Sequence, residues 1–224
     1  MLYNLDPFTL IVRAIVLLTS IPVHEAAHAF VADRLGDPTG RYAGRLTLNP
    51  MAHFDPMGAL AMVIVGIGWA KPVPINTRNF KNPKAGMAVS AAAGPIANLI
   101  LATISLIAAK VIFYSSYISG NGSAGTVADT MFTLFQMMCS INISLAIFNL
   151  IPVPPFDGSR IFNVFMSEKL YFKIMEYERY IFYILLAVIY LGVLNKPLSM
   201  AAGRVFDVIN KATRFVDRLF IAMM

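Results

Sequence analysis

The stretch Phe8–His28, FTLIVRAIVLLTSIPVHEAAH, runs an apolar segment directly into two histidines four residues apart. On an α-helix that spacing puts both imidazoles on one face, within reach of a single metal ion. Glu25 projects beside them, where it can take a proton from a metal-activated water. Ionisable groups are costly in so apolar a segment, so this cluster reads as a functional site. A purely structural role would need hydrogen-bond partners for all three groups. Histidine is also scarce: His24, His28 and His53 are the only three, and two of them fall at ligand spacing.

The composition sets the context for this motif. The 224 residues are 58% hydrophobic and 13% charged, with mean hydropathy +0.67, whereas soluble domains carry about 25% charged residues. The chain reads as an all-α polytopic membrane protein. One membrane-embedded domain is expected over residues 1–224, with a core at about 8–165 and C-terminal helices over 175–224. The net charge of +6 is scattered over membrane-flanking loops, which fits the positive-inside rule better than a nucleic-acid surface. Cys139 is the single cysteine, so no internal disulfide can form. No signal peptide is expected, because the N-terminus has neither a basic n-region nor a clear small-residue cleavage site.

About four spanning helices follow from the apolar runs: Phe8–Leu35, Ala85–Tyr114, Val127–Leu150 and a shorter Tyr180–Leu194, lengthened if it starts near Met175. Pro22 is expected to kink the first near the histidines, and Gly36-Asp37-Pro38 ends it. Met57–Trp69 is apolar but too short to span, and reads as a re-entrant or interfacial segment. Ala70–Pro83 sets Pro72 and Pro74 among β-prone residues, which suggests an extended β-hairpin or loop at the membrane surface. Leu198–Met223 has an apolar stripe with Arg204, Lys211, Arg214 and Arg218 mostly off it, as in an amphipathic helix lying in the interface. Arg34–Lys84 is rich in lysine and arginine while Ser115–Thr126 has none, which puts the histidine end of the first helix on the cytosolic side. The same count would bring the basic tail out on the other side, against the rule.

A catalytic zinc usually has three protein ligands and an open position. Carboxylates at membrane depth are few, and Asp157 stands out in Phe148-Asn149-Leu150-Ile151-Pro152-Val153-Pro154-Pro155-Phe156-Asp157-Gly158. On the residues alone it fits a metal ligand and a helix N-cap about equally.

The two motifs in this order, HExxH and then N-x-x-P-x-P-x-x-D-G, resemble the site-2 protease family of intramembrane metalloproteases. The stretches Arg45–Pro50, Gly68–Pro74 and Ala93–Asn98 look like its compact prokaryotic branch, which lacks PDZ and CBS modules. The likeness covers roughly residues 21–160. It implies one zinc per chain held by His24, His28 and Asp157, with Glu25 as general base and Asn149 steadying the substrate carbonyl or oxyanion. Gly94, Pro95 and Asn98 match a motif of the family's middle core helix, for which packing is the favoured role. His53 is not a ligand in the family pattern, and loop structure is its favoured role.

The implied activity is peptide-bond hydrolysis in or near transmembrane segments, in regulated intramembrane proteolysis. The partners are then a transmembrane protein or peptide substrate and the bilayer, with no nucleic acid. The expected location is a prokaryotic cell membrane, crossed several times, with the site opening toward the cytosol. A metal transporter would need ionisable groups spread through several spans. Ala85–Tyr114 and Val127–Leu150 offer only Lys110 and Asp129, near their ends. A non-catalytic scaffold would have no use for a costly Glu25.

Overall fold

The computed structural model describes residues 7–58, 70–118 and 127–222. Three of its helices are long and apolar enough to cross a membrane. Helix α1, Pro7–Arg34, has 28 residues and runs unbroken through Pro22. It ends where glycine is needed: Gly36 takes φ 105°, and the Gly36 and Asp37 N–H groups donate to Asp33 O and Ala32 O at 3.1 and 2.9 Å. That pair of bonds is a Schellman cap. Two single-turn helices follow, α2 at Thr39–Tyr42 and α3 at Pro50–His53.

Helix α4, Pro83–Ile118, is the longest at 36 residues, about 54 Å. Its buried face is built from small residues, among them Ser90, Ala91, Gly94, Ala102 and Ala109, which let other helices approach closely. Helix α5, Val127–Asn149, packs along it. Ala102 and Leu106 of α4 meet Cys139 and Ile143 of α5 in the buried core. Helix α1 packs against both. Deep in that contact, Asn142 donates to Ser20 Oγ at 2.9 Å.

The remaining helices are shorter: α6 Asp157–Phe162, α7 Glu168–Glu176, α8 Glu178–Tyr190, α9 Asn195–Ala212 and α10 Arg214–Ile221. The expected fourth span is only α8, at 13 residues, short of the roughly 20 that a bilayer needs. It cannot be lengthened toward Met175, because the chain breaks at Tyr177, among the charges Glu176, Glu178 and Arg179. Beyond it, Gly192 turns the chain at φ 72°.

The tail also differs from expectation. It forms two helices, broken at the buried Thr213, whose hydroxyl donates to Ile209 O at 3.0 Å. A side chain that bonds the backbone a turn back competes with the helix. The pair docks on α4 and α5. Ile209 enters the core cluster, Lys110 Nζ lies 2.6 Å from Asp217, and Tyr114 stacks on Phe220 at 5.2 Å.

The expected hairpin over Ala70–Pro83 is absent. No strand forms among the described residues. Residues 70–76 make an extended strap, followed by a 3₁₀ turn at Thr77–Asn79. Pro72 and Pro74 have no N–H to give a ladder. The donors that remain go elsewhere: Lys71 N–H to His53 O at 2.9 Å, Val73 N–H to Glu25 at 3.3 Å and Asn76 N–H to Asp37 at 2.7 Å. The expected re-entrant segment Met57–Trp69 lies almost wholly outside the described residues.

Candidate metal centre

Helix α1 carries His24 and His28 on the face it turns toward α4, as their spacing requires. The third group comes from the start of α6. A proline-rich turn after α5 brings Asp157 back to the two imidazoles, and Gly158 permits that return. A Cβ on Gly158 would lie 2.4 Å from the Leu150 and Ile151 carbonyl oxygens. The alternative of Asp157 as N-cap does not hold. Phe156 is the N-cap of α6 and makes no side-chain cap bond, while Asp157 is the first helical residue and aims its carboxylate at the histidines.

The three donor atoms form a nearly equilateral triangle. Nε2 of His24 and Nε2 of His28 are 3.0 Å apart. Asp157 Oδ2 lies 3.2 Å from the first and 3.3 Å from the second. An ion bound tetrahedrally at about 2.0–2.1 Å spaces its donors about 3.3 Å apart, so the triangle fits zinc. All three residues are buried.

The protons support the same fit. His28 Nδ1–H donates to the Ser90 carbonyl at 2.7 Å, a bond that a carbonyl can only accept. Neutral His28 therefore turns a bare Nε2 lone pair to the centre. His24 Nδ1 lies 3.1 Å from the Asn98 amide, and Asn98 Oδ1 is buried without a partner. Half a turn of that amide presents Oδ1 to an Nδ1–H, which likewise frees Nε2 of His24. Asp157 Oδ2 is likewise buried with no hydrogen-bond partner, and it faces both Nε2 atoms. Three acceptors facing one another call for a cation between them.

Helix α4 forms the wall of this centre. Ser90, Gly94 and Asn98 recur every four residues and share one face. Gly94 has no room for a side chain, since a Cβ there would lie 2.4 Å from His28 Nε2 and 2.5 Å from His24 Cε1. Packing is thus too narrow a role for Gly94 and Asn98: they cradle and orient the imidazoles. The Ser90 carbonyl was not foreseen at all. Four-residue spacing was its one sequence signal.

Glu25 is half-buried beside the centre, with Oε2 held by the Val73 N–H. Asn149 ends α5 and donates to Leu145 O at 3.0 Å within its own helix. His53 stays apart from the triad. It is buried and donates from Nε2 to Thr47 O at 2.9 Å, which is loop structure.

With this centre in place, comparison with known proteins is decisive. The model of peptidase family M50 matches residues 12–192. The chain belongs to peptidase family M50. Among curated relatives it is 37% identical to the "Putative zinc metalloprotease YwhC" of Bacillus subtilis, over 77% of each chain. It is 29% identical to the "Putative zinc metalloprotease Rip2" of Mycolicibacterium smegmatis, over 63% of this chain and 52% of that one. Zinc metalloprotease MJ0392 of Methanocaldococcus jannaschii is 28% identical over 69% of this M50 chain and 34% of its own length. No solved structure matches.

Proposed function

We propose that this chain is an intramembrane zinc metalloprotease that cleaves peptide bonds in or near transmembrane segments of other membrane proteins. The observation that carries the reading is the triangle of His24, His28 and Asp157, with sides of 3.0–3.3 Å, built on a helix apolar enough to span. His24, His28 and Asp157 hold the ion, one per chain. When bound, zinc supplies a Lewis acid that polarises a carbonyl oxygen and acidifies water to a pKa near about 7.

The chain's own residues do the rest. Glu25 takes a proton from the attacking water and later delivers it to the leaving amine nitrogen, so no net proton is lost. Asn149, turned from Leu145 O, donates its amide N–H to the carbonyl oxygen as negative charge develops there. One such donor is worth about 3 kcal/mol. The amides of a spanning helix are bonded internally, so a substrate segment must unwind locally before attack. A shallow, open groove beside α1, lined mostly by apolar residues including Val23, Ala27, Phe30 and Leu48, suits apolar substrate side chains. The lysines and arginines between Arg34 and Lys84 support a site that opens toward the cytosolic face of a prokaryotic cell membrane.

The test is metal content. Purified protein is expected to carry one zinc per chain, and Asp157→Ala or the His24→Ala/His28→Ala pair to lose it. Full zinc retention in the double variant contradicts the assignment. Loss in His53→Ala with retention in Asp157→Ala moves the third ligand.

A further inference from the structure

We infer that Asp37 is a positioning residue for Glu25, acting at a distance through the extended strap of residues 70–76. The inference rests on the reading of Glu25 as general base. Asp37 is fully buried, held there by the Schellman turn that closes α1. Its carboxylate has no partner of opposite charge among the described residues. Four donors meet it instead. Oδ1 accepts from Thr39 N at 3.2 Å, Thr39 Oγ1 at 2.5 Å and Asn79 Nδ2 at 2.7 Å. Oδ2 accepts from the Asn76 N–H at 2.7 Å. Two of these four come from beyond residue 75, so the group ties the end of α1 to the far end of the strap.

The strap is pegged at its other end as well, where the Lys71 N–H meets His53 O at 2.9 Å. Between the two pegs, Pro72 and Pro74 flank Val73, whose N–H is the donor that reaches Glu25 Oε2 at 3.3 Å. The Val73 side chain is buried against Gly40, where a Cβ would come within 3.0 Å of Val73 Cγ1. Strap, α2 and α1 are therefore packed as one body, and Asp37 is its polar link. The consequence for chemistry is orientation. With Oε2 held by an amide, Oε1 is left to take the proton and pass it on. A base whose carboxylate rotates freely spends less time aligned with water and leaving nitrogen.

Asp37→Asn separates the link from the turn. An asparagine keeps Oδ1 for Thr39 and Asn79 but sets an NH₂ against the Asn76 N–H, which breaks only the strap contact. In purified, zinc-loaded protein we expect full zinc content, at least tenfold faster amide exchange at Val73 and Asn76, and kcat reduced about 10- to 100-fold with KM little changed. Val73→Pro removes the donor to Glu25 directly. Adding Asp37→Asn to it is expected to cost little more, because both act on one contact. Faster strap exchange with unchanged kcat overturns the inference and leaves Asp37 as a loop anchor. Zinc loss in Asp37→Asn, or full additivity of the two variants, also overturns it. Failure of the underlying reading is seen separately, as normal turnover in Glu25→Gln.

Discussion

The two ends of α4 use the same four-residue spacing for different purposes. At the site end, Ser90, Gly94 and Asn98 present a carbonyl, a gap and an amide to the histidines of α1. Toward the far end, Lys110 and Tyr114, again four apart, grip Asp217 and Phe220 of α10. The first face is small and polar because imidazoles must sit against backbone at fixed angles. The second is large and partly charged because it has to reach a separate amphipathic helix. Changes at the site end should therefore abolish chemistry, and changes at the far end should loosen the assembly while sparing it.

The sharpest test of that contrast is Gly94→Ala. A methyl 2.4 Å from His28 Nε2 cannot be accommodated without moving an imidazole, so zinc content and cleavage are both expected to be lost while helicity by circular dichroism is retained. Asn98→Ala comes next. It removes the partner of His24 Nδ1 and should weaken zinc affinity about 10- to 100-fold, read by competition with a chelator. Asn98→Asp, which keeps an acceptor, should recover most of that loss. Lys110→Met is expected to do less, lowering stability by about 1 kcal/mol, because Asp217 loses its lysine but keeps the Tyr114 hydroxyl, with zinc content and kcat unchanged. Loss of zinc in Lys110→Met would erase the distinction between the two ends.

The smallest effect concerns pH and the strap. Burial pushes the Asp37 carboxyl up, but the bonds from Thr39, Asn79 and Asn76 more than offset it and lower it below the ordinary aspartate range. A group depressed on folding stabilises fully above its unfolded pKa, about 3.9, and loses that contribution as pH falls through the lower folded value. Amide protection at Asn76 should accordingly hold down to about pH 4 and fall below it. Protection already lost at pH 6 would contradict the cause given.

The three long helices were legible in the sequence to within a few residues, because uninterrupted apolar runs leave a membrane chain few alternatives. What failed was short or depended on packing. Tyr180–Leu194 has the hydropathy of a span, but Glu176, Glu178 and Gly192 bound a helix too short to cross. The strap has strand-like residues, yet its N–H groups are taken by Glu25 and Asp37 rather than by a second strand. At the site, His24, Glu25 and His28 stand out by spacing, whereas Asp157 stands out by its isolation in an apolar context but fits ligand and N-cap equally on the residues alone, and only the family resemblance favours the ligand. The contacts that orient them do not stand out. Ser90 and Asn98 meet histidines 62 and 74 residues away, and a backbone carbonyl leaves no mark in composition.

The most direct test of the account is Glu25→Gln, measured for zinc and for cleavage of a transmembrane substrate in the same preparation. The substitution keeps size and the acceptor for the Val73 N–H but cannot take up a proton. One zinc per chain with cleavage below detection is the predicted result. Near-normal turnover would contradict Glu25 as the base, and loss of zinc would make it a ligand instead.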